Sequence, residues 1–100
     1  MVTINKDKAY NKAVSVVQTA PKVPRLCDKN LWPRQSGTII ESLWNGFEVR
    51  TAHPYDKEIE NLFEALLREF ETTNYEVTCS GKDNCGENML TASIYITEKN

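Results

Sequence analysis

Apolar and polar positions recur with two different periods along this chain, and the switches between them mark its elements. Over residues 54–72, Tyr55, Ile59, Leu62, Phe63, Leu66, Leu67 and Phe70 follow the i, i+3, i+4, i+7 spacing of one helical face, with acids on the other. Pro54 suits the first helical position, because its missing N–H is one that a helix start leaves unpaired anyway. His53 then stands at the N-cap or one residue from it, and Asp56 in the first turn, where a carboxylate meets the positive end of the helix dipole. A first helix is predicted over about residues 5–19 from Ala9, Tyr10, Ala13, Val14 and Val17. The run "AVSVVQTA" within it is β-branched enough to compete as a strand, but the periodicity favours the helix.

Period-two alternation takes over between and after the helices. "GTIIESLWNGFEVRT" predicts a hairpin over residues 38–51, with Asn45-Gly46 as the pair preferred in a two-residue type I′ turn. A turn centred there pairs Trp44 with Phe47, Ser42 with Val49 and Ile40 with Thr51. Ile40, Trp44, Phe47 and Val49 then share one side, and Glu41 meets Arg50 on the other. A second hairpin is predicted over residues 74–97. It alternates Tyr75, Val77 and Cys79 in one strand and Leu90, Ala92, Ile94 and Ile96 in the other, joined by the polar "SGKDNCGEN".

The order α-β-β-α-β-β predicts one small α+β domain over residues 1–100, a four-stranded antiparallel sheet with its helices on one face. It can be drawn as two αββ halves or as a permuted ferredoxin-like sheet. The expected core joins Trp44, Phe47, Leu62, Phe63, Leu66, Ile94 and Ile96. Between the first helix and the hairpin, residues 20–37 carry Pro21, Pro24 and Pro33, which exclude regular structure over most of the segment. Val23, Leu26, Leu31 and Trp32 need burial, so this loop is expected to be strapped across the sheet.

Composition narrows the class. One hundred residues, 40% hydrophobic and 26% charged, suffice for a single globular core. No apolar run is long enough to span a bilayer, and the first residues are too charged for a signal peptide. The expectation is a soluble cytoplasmic protein with no membrane partner. Three cysteines, Cys27, Cys79 and Cys85, are an odd number best read as reduced thiols, although Cys79 and Cys85 could close a small loop if oxidised. With His53 the only histidine, these cysteines lack the spacing of a zinc site.

Catalytic signatures are missing as well. The chain holds no phosphate-binding glycine loop, no GxSxG and no HExxH, and nothing in the sequence supplies His53 with a nucleophile or an oxyanion donor. Neither an enzyme nor a cofactor or metal is expected.

Charge carries the remaining signal. Residues 1–34 hold seven basic groups against two acids, and residues 56–71 hold six acids against two basic groups. The basic third, with Lys6, Lys12, Lys22, Arg25 and Arg34, could track phosphates, which makes a nucleic-acid-binding accessory protein the alternative reading. Against it stand only four arginines and no aromatic-basic strand motif. The first reading is a small non-catalytic module whose partner is another protein or protein complex. Two surfaces are candidates: the loop bearing Trp32, Arg34, Arg25 and Lys29, whose tryptophan and arginine are hot-spot residue types, and the acidic helix face of Glu60, Glu64 and Glu71. A solvated helix face is the plain account of those acids. Small size without catalytic residues is the profile of phage and mobile-element inhibitors of host machines, the anti-CRISPR proteins among them. A line of acids could imitate phosphate charge in a nucleic-acid-handling machine.

Overall fold

A helix over Lys6–Thr19 (α1) opens the fold, capped by Asn5, whose side-chain oxygen accepts the Lys8 N–H at 2.8 Å. The strands Thr38–Leu43 (β1) and Gly46–Thr51 (β2) follow, then a helix over Lys57–Phe70 (α2) and the strands Tyr75–Cys79 (β3) and Ala92–Glu98 (β4). This computed structural model describes residues 1–23, 25–27, 37–51, 57–79 and 92–99. Capping by His53, the first helical turn at Pro54 to Asp56 and the connector between β3 and β4 lie outside the described residues, as does Cys85.

The sheet is antiparallel throughout, in the order β1-β2-β4-β3. The second strands of the two hairpins thus lie side by side. That is the order that two αββ halves would give, and also that of a permuted ferredoxin-like sheet. Both helices pack on one face. Ala9, Ala13 and Val17 from α1 and Ile59, Leu62, Leu66 and Phe70 from α2 meet Phe47, Val49, Tyr75, Val77, Ala92, Ile94 and Ile96 from the strands. Phe63 is half-buried at the margin of this core, and Leu67, read as part of the apolar face of the helix, is 38% exposed. α1 contributes small side chains to this core and packs chiefly against α2, which supplies the bulk.

The first hairpin departs from its expected register by two residues. Ile40 faces Val49, Ser42 faces Phe47 and Leu43 faces Gly46, so the turn is made by Trp44 and Asn45. The physical reason is Gly46. It is the first residue of β2, with φ +155°, and a β-carbon there would collide with the Ile96 carbonyl oxygen across the sheet. Its glycine serves a close backbone approach rather than a type I′ turn. A shift of two preserves the faces, so Phe47 and Val49 still reach the core. Trp44 does not: it stands 94% exposed at the hairpin tip. The expected Glu41–Arg50 pair survives as a diagonal contact at 3.3 Å, while the residue directly opposite Glu41 is Glu48.

Two side connections complete the frame. The N-terminal segment is pinned beside β3, where Val2 bridges Thr73 and the Asn74 side chain meets both backbone groups of Ile4, accepting from its N–H at 2.8 Å and donating to its carbonyl at 3.3 Å. On the far edge, Leu26 bridges Thr38. The Cys27 N–H donates to the Thr38 carbonyl and the Thr38 N–H to the Arg25 carbonyl, both at 2.9 Å. The outer side of β1 is covered there.

Candidate protein-interaction surface

The acids of α2 sort into two groups by what they touch. Glu69 holds Lys12 of α1 at 3.0 Å, and Glu58 stands 4.0 Å from Lys22. Glu60, Glu64 and Glu71 are in no ion pair among the described residues. The last two are exposed and Glu60 is half-exposed. With the partly exposed Leu67 they follow the spacing i, i+4, i+7, i+11, which sets Glu60, Glu64 and Leu67 in one line along α2, successive members about 5–6 Å apart, with Glu71 in the turn just past its last residue, Phe70. The line runs beside the helix face that carries Ile59, Leu62, Leu66 and Phe70 into the core. The sequence pattern therefore located this strip, although the exposure of Leu67 beside it was not legible there.

The basic groups of the N-terminal third are differently placed. The Lys6 ammonium donates to the Ser42 hydroxyl and the Leu43 carbonyl, each at 2.8 Å, and lies 5.4 Å from the centre of the Phe47 ring. Lys12 and Lys22 face Glu69 and Glu58. Arg25 is exposed beside a cavity of about 500 Å³ lined also by Val17, Ala20, Lys22 and Leu26. Trp32, Arg34 and Lys29, the other members of the expected loop surface, lie outside the described residues.

The sheet face away from the helices carries a charged cluster. Arg50 donates to both oxygens of Glu48, from Nε at 3.1 Å and from Nη2 at 3.0 Å, and also contacts Glu41. The hydrogen-bonded Glu48 carboxylate holds the guanidinium pKa above its usual value, with Glu41 adding to the effect. Glu48 is 8% exposed, so this is a structural pair that compensates a buried charge. Ile39, 3% exposed, is buried on the same face and apart from the main core. On the helix side, burial raises the Tyr75 phenol pKa and the neighbouring Glu98 adds to the rise; the hydroxyl donates to that carboxylate at 3.3 Å.

Among the described residues no three histidine, cysteine or carboxylate side chains gather where a metal could be held. Cys27 and Cys79 are free, half-buried thiols. No helix among the described residues is long and apolar enough to cross a membrane. No protein-family model, curated protein or solved structure matches this chain. Trp44 is a hot-spot residue type that the sequence pattern misplaced. Its position depends on the hairpin register, which the Asn45-Gly46 pair misreports.

Proposed function

We propose that this protein is a non-catalytic protein-binding module that presents the acidic flank of α2 to a basic surface of its partner. One observation supports the reading above others: Glu60 and Glu64 on α2 and Glu71 just past its end are in no ion pair among the described residues, while Glu58 and Glu69 face the protein's own lysines. Charges that stabilise the fold are neutralised within it. A same-sign line left over serves encounter and orientation with an oppositely charged surface. In its narrower form the module is an inhibitor of a nucleic-acid-handling machine, of the kind that phages and mobile elements encode, its carboxylates occupying a channel built for phosphates. The nucleic-acid-binding alternative is weakened because Lys6 and Lys12 are already engaged within the chain.

The test is affinity capture from native extract after nuclease treatment. It compares the wild-type chain with Glu60, Glu64 and Glu71 all changed to Lys, and with a Trp32→Ala, Arg34→Ala variant. The expected result is a nuclease-resistant partner that the triple variant loses and the loop variant keeps. A partner retained by the triple variant, or removed entirely by nuclease, overturns the reading.

A further inference from the structure

The hydrogen-bond ladder of β3 fixes which of its backbone groups face outward. β3 is an edge strand, paired only with β4. The Lys99 N–H donates to the Asn74 carbonyl at 2.7 Å, so that pair is hydrogen-bonded and, by alternation, so are Glu76–Thr97 and Thr78–Tyr95. The N–H and C=O groups of Tyr75, Val77 and Cys79 therefore point away from β4. The Tyr75 N–H is satisfied locally by the Thr73 hydroxyl at 3.1 Å. Beyond Val77 and Cys79 no strand lies among the described residues, whereas the opposite edge, at β1, is met by Arg25 and Cys27. An open row of donors and acceptors at an edge is a template for another extended chain.

A groove runs beside this edge, between β3 and the end of α2. Its volume is about 160 Å³, its floor is Leu67, Phe70, Tyr75 and Val77, and its rim carries Glu71, Glu76 and Lys99. The Lys99 ammonium is occupied by the carbonyls of Thr73 at 2.8 Å and Glu71 at 3.4 Å, at the negative end of α2. Glu71, Glu76 and, about two and three helical turns before Glu71, Glu64 and Glu60 remain as the charge along the lip.

We propose that this edge accepts an extended, lysine- or arginine-bearing segment of a partner protein as a fifth strand. The inference rests on the acidic-flank reading above and adds to it the shape of the partner. Main-chain bonds to Val77 and Cys79 demand an extended backbone, and the groove takes alternate side chains, as strand addition requires. Long basic side chains fit both halves of the site, laying their methylene stems along Leu67 and their charged heads against Glu64 and Glu71. A second copy of this chain is the poorer occupant, because pairing two β3 edges brings two acidic flanks together.

The probe is a short end-blocked peptide of alternating valine and lysine, compared with the same peptide N-methylated at alternate amides so that it cannot extend a sheet. Binding is followed by fluorescence anisotropy and by the amide signals of the whole chain. The expected result is saturable binding that shifts the Val77 and Cys79 amides and slows their exchange. N-methylation should weaken it at least about tenfold, and so should the triple Glu-to-Lys variant. Equal binding of both peptides, with loss only in the triple variant, overturns strand addition while leaving the acidic flank standing. Binding unaffected by the triple variant overturns the acidic flank and the basic half of this proposal. Absence of binding, or self-association of the chain through Val77, overturns the proposal outright.

Discussion

Gly46, opposite Thr97 in the β2–β4 ladder, lies so close to the carbonyl of the preceding Ile96 that no side chain fits on it: a β-carbon at position 46 would meet that carbonyl oxygen. Neither backbone can retreat without breaking the central pairing of the sheet. Gly46→Ala is therefore expected to cost at least about 2 kcal/mol, read from the denaturation midpoint at unchanged slope. A change below about 0.5 kcal/mol would mean that the two strands are not in this register.

Trp44 and Leu66 invert the usual ranking of large and small apolar residues. Trp44→Ala removes a side chain that is already in water, and stability should move by no more than about 0.5 kcal/mol. Leu66→Ala empties a fully buried site and should cost about 2–5 kcal/mol. Parallel urea titrations decide between this arrangement and the one in which Trp44 packs in the core.

Removing the Arg50 guanidinium leaves Glu48 buried with its main partner gone. Arg50→Met should destabilise by about 1–3 kcal/mol, less than a wholly buried pair would, because Arg50 keeps roughly a third of its side-chain surface in water. Adding Glu48→Gln to the same chain should recover part of the loss. No recovery in that double-mutant cycle would show that the two side chains are not coupled.

Tyr75 makes stability sensitive to alkali. Its folded-state pKa is raised above the ordinary value of 10.0, first by burial and then by Glu98, so the fold favours the protonated phenol. The associated stability is fully present below pH 10 and is lost as pH rises through the folded-state value. Denaturation midpoints measured across that alkaline range should fall more steeply for the wild type than for Tyr75→Phe. Parallel curves would assign the alkaline loss to other groups.

The sequence disclosed what depends on local period and left out what depends on neighbours. The buried face of α2 reads directly from Ile59, Leu62, Leu66 and Phe70, because helical geometry alone brings them together. Strand faces read equally well, since Phe47, Val49, Ile94 and Ile96 keep their side of the sheet under any even shift. The register did not. A glycine demanded by positive φ in a turn and a glycine demanded by an opposing backbone look identical in sequence, and here the second demand governs Gly46. The outward groups of β3 were not legible either, because strand order is set by long-range pairing. As for the proposed interaction residues, the spacing of Glu60, Glu64 and Glu71 was visible, but which of these acids are neutralised depends on where α1 packs.

The meeting of the two hairpins through β2 and β4 also sets an order of events for the folding chain. β1 and β2 join across the two residues Trp44 and Asn45, a closure that needs little of the chain to be brought together. β2 finds β4 only by pairing Phe47 with Ile96 and Val49 with Ile94, across the whole of α2 and β3. Asn74 holds Ile4 from still farther along the sequence. The entropic cost of such distant closure falls before its contacts form, so the β2–β4 seam, rather than either hairpin, is expected to limit the rate. Substitutions at that seam should slow refolding, whereas loss of the Asn74 amide should chiefly hasten unfolding.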